Sequence, residues 1–563
     1  MSKARDIVET LRTVLVDGDV TNANFTGADL EISKGGTGAS STGAARTALG
    51  VAIGTDVLAP NGSAANLTNL PASGAVDFVA SGTLPNGKPV VLKSDGTVEV
   101  VAETATSIAE SIPSGSSAVF NAGTTPNISI SVAFDPNTQG QFVVSYKDGT
   151  NSNYGTAVVG QVSGNSISFG SEYVFSSYVT DYTAISFDPN TANKFVVAYQ
   201  GQSSVGKSNV GTVSGNSISF GAMTTFLNNN STWISIAFDP NTTNKFVVSC
   251  HDVGDGNYGK VVVGTISNTS LSYGNVANTY PNKGSYTSIK FDPNTANKFV
   301  VAYQDYGASD HGYVQLGTVS GTSITLATAV VFNSSVTEYI SIAFDPNTTG
   351  KFVVAYRDGG NSNYGTAILG TLSGSSISFG TEVAFTGDAT YIAMAFDPIN
   401  TGKFVVAYRE MAVAGYGDAK VGTLSGTSLS FGSANRFDSA GANNISIAFD
   451  GVTSGKFVVP YSASANSQKG TAVLGQIATT IDVTNLTTTN FLGTSTAAYT
   501  NGQTAKIMLQ GGISTNQSSL AIGSTYYVQI DGTLATSADS NFGAPSVVAG
   551  KAVSATTLLL KGI

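Results

Sequence analysis

A Phe-Asp pair recurs seven times along this chain: Phe134-Asp135, Phe187-Asp188, Phe238-Asp239, Phe291-Asp292, Phe344-Asp345, Phe396-Asp397 and Phe449-Asp450. The successive steps are 53, 51, 53, 53, 52 and 53 residues. A fixed period of this length confines a chain to a solenoid or a propeller. The content of each unit decides between them. In the fifth unit ISIAFD (340–345) reads as a strand, PNTTG as a turn and KFVVAY (351–356) as a second strand. RDGGNSNY (357–364) reads as a loop, GTAILGTL (365–372) as a third strand, SGSS as a tight turn and SISFGTEVAF (376–385) as a fourth. No unit carries a 3.6-residue apolar period. Four antiparallel strands, A to D, repeated seven times predict an all-β, seven-bladed β-propeller of four-stranded blades over residues 113–480.

The ends of the array predict how the ring closes. The seventh unit has ISIAFD (445–450), KFVVPY (456–461) and GTAVLGQIA (470–478), then stops without a fourth strand. Upstream of the first unit, GSSAVF (115–120) matches GSEYVF (170–175) from a fourth strand. The start of the array is therefore expected to supply the last blade's D strand and remove an exposed edge. In such a ring the A–B and C–D turns share one face, and the B–C and D–A loops share the other. The chain would enter and leave on the A–B/C–D face, leaving the opposite face free.

The flanks differ in texture. Residues 1–30 hold an apolar stripe (Ala4, Ile7, Val8, Leu11, Val14, Leu15) at helical spacing over 3–17, with Ser2 as N-cap and Gly18 as stop. A helix this short is marginal alone, so its stripe is expected to bury in self-association or on a larger particle. Residues 31–73 are a Gly/Ala/Ser/Thr connector. Residues 74–112 form a small β module with Pro85-Asn86-Gly87 and Asp95-Gly96 turns, and 481–563 a second module of similar texture that can pack with it.

Composition narrows the function. Net charge is −10 and the repeat region has only Arg357, Arg409 and Arg436, which argues against a nucleic-acid binder. The single cysteine, Cys250, follows an apolar run and reads as a core residue; no disulfide or cysteine zinc site can form within the chain. No secretory signal or apolar run of membrane-spanning length is seen, so cytosolic assembly without membrane insertion is expected. The Asp-Pro-Asn turns offer one carboxylate each, too few for calcium, and read as Asx-turns. His251 and His311 read as loop histidines rather than a metal pair. No arginine cluster or nucleophile set is evident, although Glu172, Glu338, Glu382 and Glu410 leave a glycosidase pairing open. The expectation is a non-enzyme without cofactor or metal.

The free face holds the candidate binding residues. Five repeats place an aromatic five residues before the marker Phe: Tyr182, Trp233, Tyr286, Tyr339 and Tyr391. These either contact a ligand or pack between blades. The B–C loops add Lys147, Asp148, Tyr154, His251, Asp252, Tyr258, Asp305, Tyr306, Tyr313, Arg357, Asp358, Tyr364, Arg409, Glu410 and Tyr416, all expected to be exposed. Variable loops on a rigid scaffold are a common way to build a binding surface.

The connector ISKGGTGASSTGAARTALG (32–50) resembles one common in bacteriophage tail fibre proteins. The opening MSKARD is similar to the N-termini of fibre-like proteins from marine and cyanobacterial phages. FVASGTLPNGKPVVLKSDGTVEVV (78–101) and GSTYYVQIDGTL…SVVAGKAVSATTLLLKG (523–562) resemble modules of those proteins, and FDPNTxxKFVVAY with SGxSISFG resembles their propeller-like repeats. The resemblance implies a virion attachment protein, often a homotrimer. It would join other tail proteins through its N-terminal region and recognise a host cell-surface glycan or outer-membrane protein. It transfers no catalytic residue. A purely structural virion component and a glycan depolymerase remain the alternatives.

Overall fold

The computed structural model describes residues 74–561 apart from 114, 116, 127–129 and 540–543. The expected helix at 3–17 and the connector at 31–73 lie outside the described residues. All regular elements among those described are β-strands or single 3-10 turns. The described residues divide into two compact units, one of 74–104 with 482–561 and one of 105–481.

In the first unit the N- and C-terminal segments are interleaved. Ala75–Val79 pairs antiparallel with Thr504–Leu509, and Pro89–Leu92 lies between Val98–Val100 and Phe491–Ser495. A second sheet joins Ile513–Ser514, Thr557–Leu560, Val547–Ser554, Thr525–Val528 and Leu534–Ala535. Residues of both sheets, including Val91, Phe491, Met508, Tyr526 and Leu558, bury in one core.

In the second unit each repeat pairs antiparallel in the order A-B-C-D. In the fifth repeat, Thr337–Phe344 pairs with Lys351–Asp358, which pairs with Tyr364–Ser373. Ser376–Phe379 and the start of Val383–Phe396 complete the unit along the two halves of the C strand. The B strands are buried over their whole apolar run; Phe352 to Tyr356 have no appreciable exposure. A strand covered on both faces reads as a continuous apolar run rather than an alternation. Each B-strand Phe packs flat on a C-strand Gly, as Phe352 does on Gly370, where any Cβ would collide with the ring.

The A strands of all seven repeats line one central cavity. Their marker Asp residues are buried, and each Oδ1 accepts the backbone N–H two residues on, as in Asp345 to Asn347 (3.0 Å). These are Asx-turns, which also link the repeats. The side-chain amides of Asn137, Asn190, Asn241, Asn294 and Asn347 each donate to the following repeat's turn carbonyl at 3.0–3.3 Å.

The last and first repeats are joined in the same way as internal neighbours. Ala118–Thr124 pairs with Lys469–Gln476, with Ala118 opposite Ala472 and Asn121 opposite Gly470. Phe120 covers Gly470 as Phe385 covers Gly365. Asp450 Oδ2 accepts the Gly140 N–H at 3.2 Å. Ser111 bridges Gln476, beside Gly455 in the seventh A–B turn, so the chain enters and leaves this unit at its Asp-turn end.

Candidate functional site

At the opposite end of the A strands, the five aromatics found before the marker Phe come together. Tyr182, Trp233, Tyr286, Tyr339 and Tyr391 form an unbroken arc of rings. Successive centroids lie 5.4, 4.0, 5.4 and 5.5 Å apart. Each ring is half-buried. Tyr182, Trp233, Tyr339 and Tyr391 line a cavity of about 380 Å³ together with Thr183, Thr287 and Asn444.

The backbone explains this placement. All five aromatics have positive φ (52°, 48°, 48°, 49° and 50°), as does Asn444 (51°) in the seventh repeat. The A–B register shifts at this point, as between Glu338 and Ser341, so the aromatic sits on a bulge. A bulky residue in the left-handed region is strained by about 1–2 kcal/mol and needs surrounding structure to hold it there. That structure is the residue before the aromatic, paired with the penultimate residue of the B strand. Arg357 donates to Glu338 (2.5 Å) and to Asp388 of the next repeat (3.0 Å). His251 Nδ1 meets Thr232 Oγ1 at 2.9 Å and Ser285 donates to Gln304 at 2.6 Å. Lys147 and Arg409 instead reach into the next repeat, to Asp181 at 2.8 Å and Asn443 at 2.6 Å.

The expected exposure of the B–C loop residues is corrected on several counts. Asp148, Asp252, Asp305, Asp358 and Glu410 are buried. Their carboxylates cap their own loops: Asp148 accepts from Thr150 N–H (3.0 Å), Asp252 from Gly254 (3.1 Å) and Asp305 from Gly307 (2.8 Å). Asp358 accepts from Gly360 (2.9 Å) and Glu410 from Ala412 (3.1 Å). An acid ending a strand before a tight loop satisfies backbone donors that would otherwise be orphaned. His251 is buried too, and burial lowers its pKa. Lys147, Arg357 and Arg409 are partly covered and held by the partners above.

The tyrosines divide. Tyr306 and Tyr364 are exposed (45% and 40%). Tyr154, Tyr258 and Tyr416 are half-buried at the start of their C strands, with the Arg436 guanidinium 4.2 Å over the Tyr416 ring. Tyr313 does not belong with them. In the fourth repeat His311 stands opposite Asp305, where the first, third, fifth and sixth repeats place the loop tyrosine opposite the capping acid. Tyr313 stacks on Tyr303 further along the sheet, 6.0 Å between centroids. No group of three or more metal-ligating side chains occurs among the described residues.

Sequence reasoning missed the partners Asp181, Glu338, Asp388 and Asn443. The signal for Glu338 was legible as an acid preceding the aromatic, matched by Arg357 at the end of the next strand. Burial raises the phenol pKa of Tyr182, Tyr286 and Tyr339, so these hydroxyls stay neutral. The site thus offers aromatic planes and neutral hydroxyls, with its cations already paired. Such surfaces match neutral, hydroxyl-rich ligands better than phosphates.

No protein-family model matches the chain, and no curated protein matches it. Among solved structures, it is similar to Sqt1 from Saccharomyces cerevisiae, with 11% identity over 65% of this chain and 99% of that one, and a TM-score of 0.40. For Sqt1 from Chaetomium thermophilum the values are 13%, 62%, 83% and 0.38. A chain of the mitotic checkpoint complex gives 9%, 66%, 96% and 0.44.

Proposed function

We propose that the chain is a bacteriophage fibre or spike subunit whose seven repeats close as a seven-bladed propeller and bind a host cell-surface glycan at the aromatic arc. The observation that carries this reading is the arc itself: five neighbouring aromatics held on left-handed backbone at one end of the repeat unit. Holding bulky residues there costs conformational energy, and such strain clusters at functional sites. The exposed Tyr306 and Tyr364 extend the same face. The chain enters and leaves this unit at the other end, which leaves the arc unobstructed by its own connections. The subunit acts as a homotrimer joined to other virion proteins through its N-terminal region, without catalysis. No helix among the described residues is long and apolar enough to cross a membrane.

The test is binding of purified full-length protein to susceptible and resistant cells, and to glycan released from them. Trp233→Ala combined with Tyr286→Ala should reduce binding to susceptible cells about five- to a hundredfold, because each aromatic contact is worth about 0.5–1.5 kcal/mol. Ile399→Ala, at an exposed position by the Asp-turn end, is the control. Equal binding by the double variant refutes the assignment. Binding to neither cell type would favour a structural role in the virion.

A further inference from the structure

The cavity at the Asp-turn end of the A strands has a different chemistry from the aromatic arc. It measures about 380 Å³ and is walled by the phenylalanines of the seven marker pairs and the prolines that follow them, with Gly451 in the seventh repeat. That volume is at the lower end of the range of small-ligand sites. The residue before each marker Phe is Ala133, Ser186, Ala237, Ala343, Ala395 or Ala448 in six repeats. In the fourth it is Lys290, the one ionisable side chain among the described residues lining this cavity.

Lys290 stands on its A strand within the ring, with its side chain exposed and lining the cavity. Among the described residues its ammonium has no hydrogen-bond or ion-pair partner. The nearest acids in the pattern, Asp239, Asp292 and Asp345, are buried in their turns, with Oδ1 accepting from Asn241, Asn294 and Asn347. The neighbouring A strands present Ala237 and Ala343 to the cavity. Enclosure pushes the lysine pKa down, and desolvation is its sole cause, since no carboxylate offsets it. A cation without a protein counter-ion, facing a chamber walled by Phe and Pro, is complementary to an anion with an apolar body.

We propose that this cavity binds a small amphiphilic carboxylate, its apolar body against the Phe and Pro wall and its carboxylate on the Lys290 ammonium. The site is independent of the aromatic arc, which lies at the other end of the A strands. Calorimetry with full-length protein tests it, using octanoate, octan-1-ol and octylammonium as probes of equal body and different charge. Octanoate should bind one per chain, and about ten- to a hundredfold more weakly to Lys290→Met, the loss expected for one charged hydrogen bond. Lys290→Arg should retain the binding, and octylammonium should not bind. Affinity for octanoate should fall as pH rises through the lysine pKa, starting below the ordinary lysine range. Lys290→Gln is the second neutral variant, read in the same way should Lys290→Met fail to fold. Equal octanoate binding by parent and neutral variant overturns the proposal, as does absence of binding at millimolar octanoate.

Discussion

Replacing Phe120 with Ala tests whether the start of the repeat array completes the seventh blade. The ring is buried (5% exposed), covers Gly470, and lies 5.1 Å from the Tyr146 ring and 5.8 Å from Phe169. It therefore ties the last repeat's C strand to the first repeat. Truncating a buried Phe of this kind costs about 3–5 kcal/mol. Large proteins often unfold irreversibly, so a local readout is preferable to a melting temperature. In hydrogen–deuterium exchange, amides of Lys469–Gln476 that open locally should exchange about two to four powers of ten faster in the variant. Phe385→Ala, which uncovers Gly365 inside the array, should give a similar acceleration in its own blade. Val119→Ala, at an exposed neighbouring position, should give almost none. If Phe120→Ala behaves like Val119→Ala, residues 118–124 do not form the closing strand and the closure argument is wrong.

Three further outcomes follow from the packing. Gly370→Ala places a methyl group against the Phe352 ring and should destabilise the protein by about 1–3 kcal/mol in chemical denaturation, whereas Gly374→Ala meets no neighbour and tests only its left-handed turn. Tyr339→Gly should be more stable than Tyr339→Ala by about 1 kcal/mol, the reverse of the usual order, because φ at this position is 49°. His251 has a folded pKa below its unfolded value, so the unfolded chain binds protons first and stability falls as pH drops through about 6.5. His251→Gln should flatten that loss between about pH 7 and pH 5, measured by denaturant midpoint.

Much of the repeat unit was legible because its determinants are local. The B-strand run Phe-Val-Val-Ala-Tyr, the Asp-Pro-Asn turn and the Ser-Gly turn each specify their own geometry within a few residues. The D–A junctions were less legible: Thr224–Phe238 and Ser270–Phe291 run as single strands through a bulge, which apolar patterning alone splits in two. The candidate site was legible at the arc, since the aromatics recur at a fixed offset. It was not legible at the loop acids, because an Asp that caps a buried loop and an Asp facing solvent have the same neighbours in sequence. Tyr313 was misplaced since loop lengths differ between repeats, and only the strand register shows that His311 occupies the tyrosine's place. Lys290 breaks a column of small residues, a signal that sequence reasoning did not use, and its place on the cavity wall depends on six other strands that local sequence cannot assemble.

The joining of Ala118–Thr124 to Lys469–Gln476 also has a consequence for biosynthesis. About 350 residues separate Phe120 from Gly470 along the chain. On the ribosome the first strand emerges long before its partner exists, and every internal repeat can form while the outer strand still waits. The loop-closure entropy of so long a span is modest, since it grows only logarithmically with length. The greater hazard is time, because an unpaired edge strand is a template for another chain's strand. When several copies are translated side by side, the last C strand of one chain can capture the first strand of its neighbour. Completion of the ring within one chain is then a competition between intramolecular search and local copy number. Slower translation of the seventh repeat, or crowding of nascent chains, should shift the product from closed monomeric rings to strand-exchanged assemblies.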